Sequence, residues 1–328
     1  MTIKTIVVIL TYFTPYFLIM TGVVTQPWLF FGCWIMIGIG MAGIGLCVMH
    51  DANHGAYSPN ARLNMILGYS MNLIGANAEI WKLQHNRLHH TYTNIEGADD
   101  DIHTPPVLRF SPYTKRYWIH KYQFLYVWFF YGISTLSWVT MKEFVQLFRY
   151  RKLGLIKSKK KFRGMLRRLI LWKVIYHTYM LVLPLAILDA PAWLILISFF
   201  AMHFTTGLIL SLIFQTAHVM PECKFDIADK NGTIHSDWAV HEMMTTSNYA
   251  PSSRLFSWMI GGLNYQIEHH LFPKICHVHY RKISKIVAST AKEFNIPYYT
   301  QKNFMVALWH HTRMLYRLGR WDAIPEAA

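Results

Sequence analysis

Four long apolar runs leave this chain little choice of fold. They cover residues 5–24, 28–49, 169–188 and 192–214, and about twenty helical residues at about 1.5 Å each match the roughly 30 Å hydrocarbon core of a bilayer. Backbone groups in lipid must bond within their own segment, so such a run is a helix. Gln26-Pro27 separates the first pair and Asp189-Ala190-Pro191 the second, which makes each pair antiparallel. Composition agrees, since only 15% of residues are charged against about a quarter in soluble domains. A signal peptide competes for the first run, but no small-residue cleavage site follows it, and a retained anchor is expected. The predicted fold is therefore all-α: a polytopic membrane protein of four transmembrane helices, forming a single domain over 1–328. Interfacial helices and a cytosolic helical cap, from 50–168 and 215–328, complete it.

Two segments need separate treatment. Residues 117–141 are long, apolar and rich in Trp and Tyr. A single crossing there would put the basic run that follows on the side opposite the central histidines, against the positive-inside bias. The segment is expected to lie in the interface or to dip in and return, and its aromatic stripe could line a tunnel or form an interfacial belt. The basic run, Lys142 to Lys173, holds twelve lysines and arginines and one acid, Glu143. It concentrates +11 of the chain's net charge of +15 on what is predicted to be the cytosolic face, where anionic lipid favours it. That placement argues against nucleic acid as a partner.

The four cysteines form no C-x-x-C pair, so neither a thiolate metal site nor a disulfide framework is suggested. The 18 histidines must supply any metal chemistry, and they cluster. His50 and His54 are four apart; His85, His89 and His90 form a second group; His269-His270 a third, inside Gln266-Ile267-Glu268-His269-His270. On an α-helix His85 and His89 share a face, and His90 points about 100° away. Four spans return His218 to the side where the chain began, so all clusters are expected on one face. The run Gly38-Ile39-Gly40-Met41-Ala42-Gly43 matches a dinucleotide fingerprint on paper, but no strand precedes it. Small residues there are expected to let a neighbouring helix approach closely.

Neutral imidazole suits several metals. Eight histidines exceed one coordination sphere and suit two adjacent ones, which could bind O2 between two irons. Asp51 and Glu268 could orient ligand rings, and His241 could stand behind the third cluster. His203, inside the fourth run, is expected either near the metal or in a helix-packing hydrogen bond. A histidine-rich metal transporter is the non-enzymatic alternative. Transporters hold ionisable ligands at mid-membrane, whereas these clusters lie just beyond the apolar runs.

These clusters resemble the three histidine boxes of the membrane fatty acid desaturases: His50 through His54, His85 through His90, and Gln266 through His270. The likeness is extended by Asn86, Thr93-Asn94, residues 245–248 and Leu271-Phe272-Pro273, and covers roughly residues 40–285. It implies a non-haem enzyme with two irons that uses O2 and two external electrons to introduce a double bond into an acyl chain. By position the metal ligands are His50, His54, His85, His89, His90, His218, His269 and His270. Gln266 stands where many relatives carry a further histidine, a substitution typical of front-end enzymes, and could ligate or hold a water; Gln215 could anchor such a water. The substrate is then a fatty acyl group on CoA, a carrier protein or a lipid. An acyl hydroxylase or a sphingolipid desaturase would use nearly the same boxes. No His-Pro-Gly-Gly haem motif of a fused cytochrome b5 occurs, so a separate carrier such as ferredoxin or cytochrome b5 is expected, steered by the basic run. An integral protein with a cytosolic active site is implied, with a bacterial inner membrane favoured over the endoplasmic reticulum.

Overall fold

A computed structural model of the chain describes residues 1–321. Helices dominate it, and the described residues fall into two compact units. One comprises 1–83 with 129–211; the other comprises 84–128 with the chain from 212 onward.

Among the described residues five helices are long and apolar enough to cross a membrane: α1 (Thr2–Met20), α2 (Pro27–His54), and, after the shorter central helix α3 (residues 78–92), α4 (Trp118–Lys152), α5 (Lys159–Ile187) and α6 (Ala192–His218). Length and composition thus admit α4, the segment expected at the interface, as a further candidate for crossing. Its ring side chains Trp118, Tyr122 and Phe129 are exposed. Pro27 starts α2 where its missing N–H costs nothing. Pro15 lies within α1, where it withholds one backbone donor from the helix.

The first unit is held by close backbone approach and by polar groups turned inward. A Cβ on Gly38 would sit 2.5 Å from the carbonyl oxygen of Met202, and one on Gly40 would sit 2.5 Å from the amide of Tyr12. The glycine run is thus a helix-packing surface, as expected. Around it Trp34, Ile37, Tyr176 and Met202 form a buried core, and the Tyr12 hydroxyl meets that of Tyr179 at 2.8 Å. His203 resolves as a packing residue: Tyr176 Oη lies 2.8 Å from its Nε2, and Thr135 Oγ1 is 3.3 Å from its Nδ1.

The basic run is not uniformly solvated. Lys173, its last member, is buried, and its Nζ lies 2.6 Å from Glu143 Oε2. Lys173 also donates to the carbonyls of Gly75 and Trp138, while the amide of Asn77 and the indole of Trp138 donate to Glu143 Oε1. Two charges this far from water persist only when so completely bonded.

In the second unit the elements that matter are the end of α6, then α7 (Trp238–Thr245), α8 (Gln266–Leu271), α9 (Tyr280–Glu293) and α10 (Phe304–Leu318). Asp237 caps α7 by accepting from the amides of Ala239 and Val240. A two-residue parallel ladder pairs Asn248 with Thr300 and Tyr249 with Gln301. Met243, Ile267, Val287 and Ala291 pack together, which seats α9 on α7 and α8.

Candidate metal centre

The central histidine cluster departs from the α-helical expectation. Residues Lys82–His89 are wound as a π-helix, in which each turn takes up an extra residue and positions five apart come into line. His85 therefore meets His90, their Nε2 atoms 3.2 Å apart. The ring of His89 stacks on that of His85, centroids 5.2 Å apart. Imidazole ligands sit about 2.0–2.1 Å from a metal, so two on one ion are roughly 3.0–3.4 Å apart. The His85–His90 separation is that of two ligands poised for a common ion. A second π-wound segment, Ile44–Met49, leads directly into His50.

Around this helix the second unit gathers His218 from the end of α6 and His269 and His270 from α8. Their nitrogens form two triplets, His89 with His218 and His270, and His90 with His269 and His270, each with its ligand atoms within 4.8 Å of one another. His85, His89, His90, His218, His269 and His270 are all buried. In the first unit His50 and His54 share a face, ring centroids 4.8 Å apart, and both pack edge-on against Trp81.

The outer nitrogens of the rings are engaged. His89 Nδ1 lies 3.1 Å from Asp99 Oδ1, His270 Nδ1 lies 2.7 Å from Glu242 Oε2, and His269 Nδ1 lies 3.2 Å from the hydroxyl of Tyr280. His218 Nδ1 faces the carbonyl of Thr245 at 3.4 Å. Thr93 Oγ1 donates to Glu242 Oε2 at 2.9 Å. Such partners hold the proton on Nδ1 and leave Nε2 as the electron-pair donor, the arrangement found behind metal-bound histidines. His218 Nε2 is buried without a hydrogen-bond partner among the described residues, which would be costly unless a cation takes that lone pair. The residues present therefore fit a metal.

Electrostatics point the same way. Burial alone would keep the His89 ring neutral, but the carboxylates of Asp99 and Asp101 override it and draw its pKa up to about 9. The charge that favours a proton there equally favours a metal cation. Burial pushes Glu242 up to about 8 and Glu268 up to about 7, so cationic neighbours would stabilise both carboxylates.

Several expected supporting residues take other places. Glu268 faces no ligand ring: its oxygens accept from Asn248 Nδ2 and Tyr298 Oη, both at 2.8 Å. Asn248 Oδ1 also accepts the amide of Ile267, which pins the start of α8. His241 Nε2 lies 2.8 Å from the Thr93 carbonyl and steadies the turn after α3, while its neighbour Glu242 takes the position behind His270. Gln215 Nε2 reaches the carbonyl of Asp101 at 3.5 Å. Asp51 Oδ1 is 3.9 Å from His50 Nδ1, beyond hydrogen-bond distance. Gln266 is buried at the start of α8, its Nε2 without a hydrogen-bond partner among the described residues.

Asp99, Glu242 and Tyr280 were not singled out from sequence. Asp99 sits in the acidic loop Asn94–Asp101, where Asn94 holds a left-handed backbone, φ 57°. The Asn94 amide donates to Asp99 Oδ2, and its side chain donates to the carbonyls of His218 and Lys224. One asparagine thereby couples the loop to the end of α6. The only sequence signal for Glu242 was its place one residue beyond His241.

Comparison with known proteins bears on the same residues. The family model described as fatty acid desaturase matches residues 26–302. The chain is 33% identical over 326 residues to an sn-1 linoleoyl-lipid 6-desaturase of Synechocystis, covering 98% of this chain and 89% of that protein. It is 35% identical over 277 residues to the protein of the same description from Arthrospira platensis, covering 84% and 74%. Against an acyl-lipid (8-3)-desaturase of Physcomitrium patens identity is 34% over 324 residues, covering 97% of this chain and 66% of that one.

Proposed function

Because the chain belongs to the fatty acid desaturase family, an enzyme family of oxidoreductases acting on lipids, we propose that it introduces a double bond into a lipid-linked fatty acyl chain at a two-iron centre. The reaction is R–CH2–CH2–R′ + O2 + 2 e⁻ + 2 H⁺ → R–CH=CH–R′ + 2 H2O, in which two C–H bonds break and O2 takes two electrons from the substrate and two from an external carrier. When bound, the irons supply the O2 chemistry that an unactivated C–H bond requires. The proposed ligands are His50, His54, His85, His89, His90, His218, His269 and His270, with Gln266 facing the remaining position. The observation that carries this reading is the triplet His89, His218 and His270, backed by Asp99 and Glu242 at 3.1 and 2.7 Å.

The chain's own residues do four things in this reaction. Asp99, Glu242 and Tyr280 keep Nδ1 engaged, so that Nε2 of His89, His270 and His269 is the donor atom. Their burial excludes water from the rings. Asn94 and Asn248 hold the acidic loop and the start of α8 in register. The apolar helices hold the acyl substrate at membrane depth, where its own solvent is lipid.

We further propose that four helices span the membrane, that α4 lies at the interface, and that the two units act as one enzyme with its histidines on the cytosolic side of a bacterial inner membrane. Two cyanobacterial relatives support the last choice. Gln266 in the third box and the relatives' descriptions as 6- and (8-3)-desaturases favour a new bond on the carboxyl side of an existing one. The test is to express the chain in cells fed linoleate, map double bonds by mass spectrometry and measure iron in the purified protein. A carboxyl-side double bond in wild type is expected, as is its loss together with iron in His89→Ala and His270→Ala, with His310→Ala unchanged. A hydroxylated product, or full iron and activity in His270→Ala, refutes the reading.

A further inference from the structure

We propose that the outward face of α9 and the turn before it is the docking surface for an acidic one-electron carrier protein, which delivers electrons to the histidine cluster through Tyr280. The proposal rests on the desaturase reading, which requires two electrons from outside; two successive carriers each lose one, and O2 is reduced.

From His269 to Lys292 the chain holds five lysines and arginines and no acid. Four of these, Lys274, Arg281, Lys282 and Lys285, are exposed on the turn and the first half of α9. Exposed apolar residues are interspersed with them along the chain: Ile275, Val278 and Ile286, the last two 50% and 66% exposed. Exposed cations interspersed with apolar side chains suit a carrier whose redox group is surrounded by carboxylates, since complementary charge accelerates encounter and fixes orientation. The opposite face of α9 is occupied, because Val287 and Ala291 pack on Met243 and Ile267; the basic face is the one left for a partner.

A bonded link to a ligand ring distinguishes this surface. Electron transfer weakens steeply with separation, so the docking face must adjoin a ligand by the shortest bonded path. Tyr280 is the first residue of α9, is itself buried, and places its hydroxyl 3.2 Å from His269 Nδ1. Arg281, the next residue, is on the surface. The run Lys142 to Lys173 carries more charge, but its one buried cation, Lys173, is bonded to Glu143 and to the carbonyls of Gly75 and Trp138 rather than to a ligand ring. Exposed apolar side chains accompany the cations in both regions, Val145, Phe148, Leu171 and Val174 there and Ile275, Val278 and Ile286 here, so the link to a ligand ring is what separates them.

The experiment compares two triple variants of the full-length protein in nanodiscs: Arg281→Gln/Lys282→Gln/Lys285→Gln in α9, and Lys159→Gln/Lys160→Gln/Lys161→Gln in α5. The probes are a soluble [2Fe–2S] ferredoxin and the soluble haem domain of cytochrome b5, with binding measured by interferometry across a salt series and iron content measured alongside. The α9 variant is expected to lose about tenfold or more in low-salt affinity for the carrier that supports turnover, with a flatter salt dependence and unchanged iron. The α5 variant is expected to change less than about twofold. Equal binding by wild type and the α9 variant overturns the proposal, as does a larger loss in the α5 variant. So does unchanged carrier affinity with a turnover defect confined to anionic nanodiscs, which would assign the face to lipid. If wild type forms no unsaturated product with either carrier, the desaturase reading fails; product formation with undiminished binding in the α9 variant defeats only the docking surface.

Discussion

Asp99 and Glu242 hold the rings of His89 and His270 at 3.1 and 2.7 Å. Removing the charge while keeping the shape, as in Glu242→Gln or Asp99→Asn, should weaken iron binding about 10- to 100-fold, the usual effect of losing such a partner. Iron measured by mass spectrometry on monodisperse protein checks this; undiminished iron in both variants would remove the carboxylates from the site. His311 allows a separate test of stability. It is buried, its Nδ1 donates to the carbonyl of Val219 at 2.9 Å, and burial pushes its pKa down to about 4. Its folded value lies below the unfolded value of about 6.5. The stability it contributes is therefore complete above about pH 6.5 and is lost as pH falls toward about 4, by up to roughly 3 kcal/mol. His311→Asn keeps a donor for Val219 without a titratable ring. Melting of the variant should be flatter than wild type across that acid limb, and superimposable curves would exclude the residue.

Among the elements, winding and burial decide what composition alone leaves open. The His-x-x-x-His spacing was legible, but its consequence was not: an α-helix aligns His85 with His89, whereas the π-wound stretch aligns His85 with His90 at 3.2 Å. No residue between Lys82 and His89 announces that extra residue per turn. The glycine run in α2 was read correctly, because close backbone approach has a direct compositional mark. The charge of the basic run is plain from composition but its environment is not, since Lys173 turns inward to Glu143. That pair yields a double-mutant test. Glu143→Leu alone leaves a buried ammonium and should cost about 3–5 kcal/mol, whereas Glu143→Leu with Lys173→Met should recover most of the loss. Thermal melts of the purified variants report it; a double variant as unstable as the sum of the singles would show that the pair acts through its backbone bonds instead.

At the scale of the whole molecule, chelation should lower the melting temperature and leave helix content by circular dichroism unchanged, because the helical backbone bonds are internal while metal binding stabilises the folded state by mass action. Ferrous iron should restore the lost degrees. An unchanged melting temperature after complete iron removal would mean that the cluster is held without metal. The membrane class, the helices and the three histidine boxes were readable from the chain itself, because apolar run length and residue spacing act over one or a few turns. Tertiary structure alone decided the partners. Glu242 reaches His270 across 28 residues of sequence, and Tyr280 stands behind His269 across 11, pairings set by how α7, α8 and α9 pack. A local pattern can specify that a histidine lies on one face of a helix. Which carboxylate or phenol meets its far nitrogen depends on contacts that form only when distant segments exclude water together.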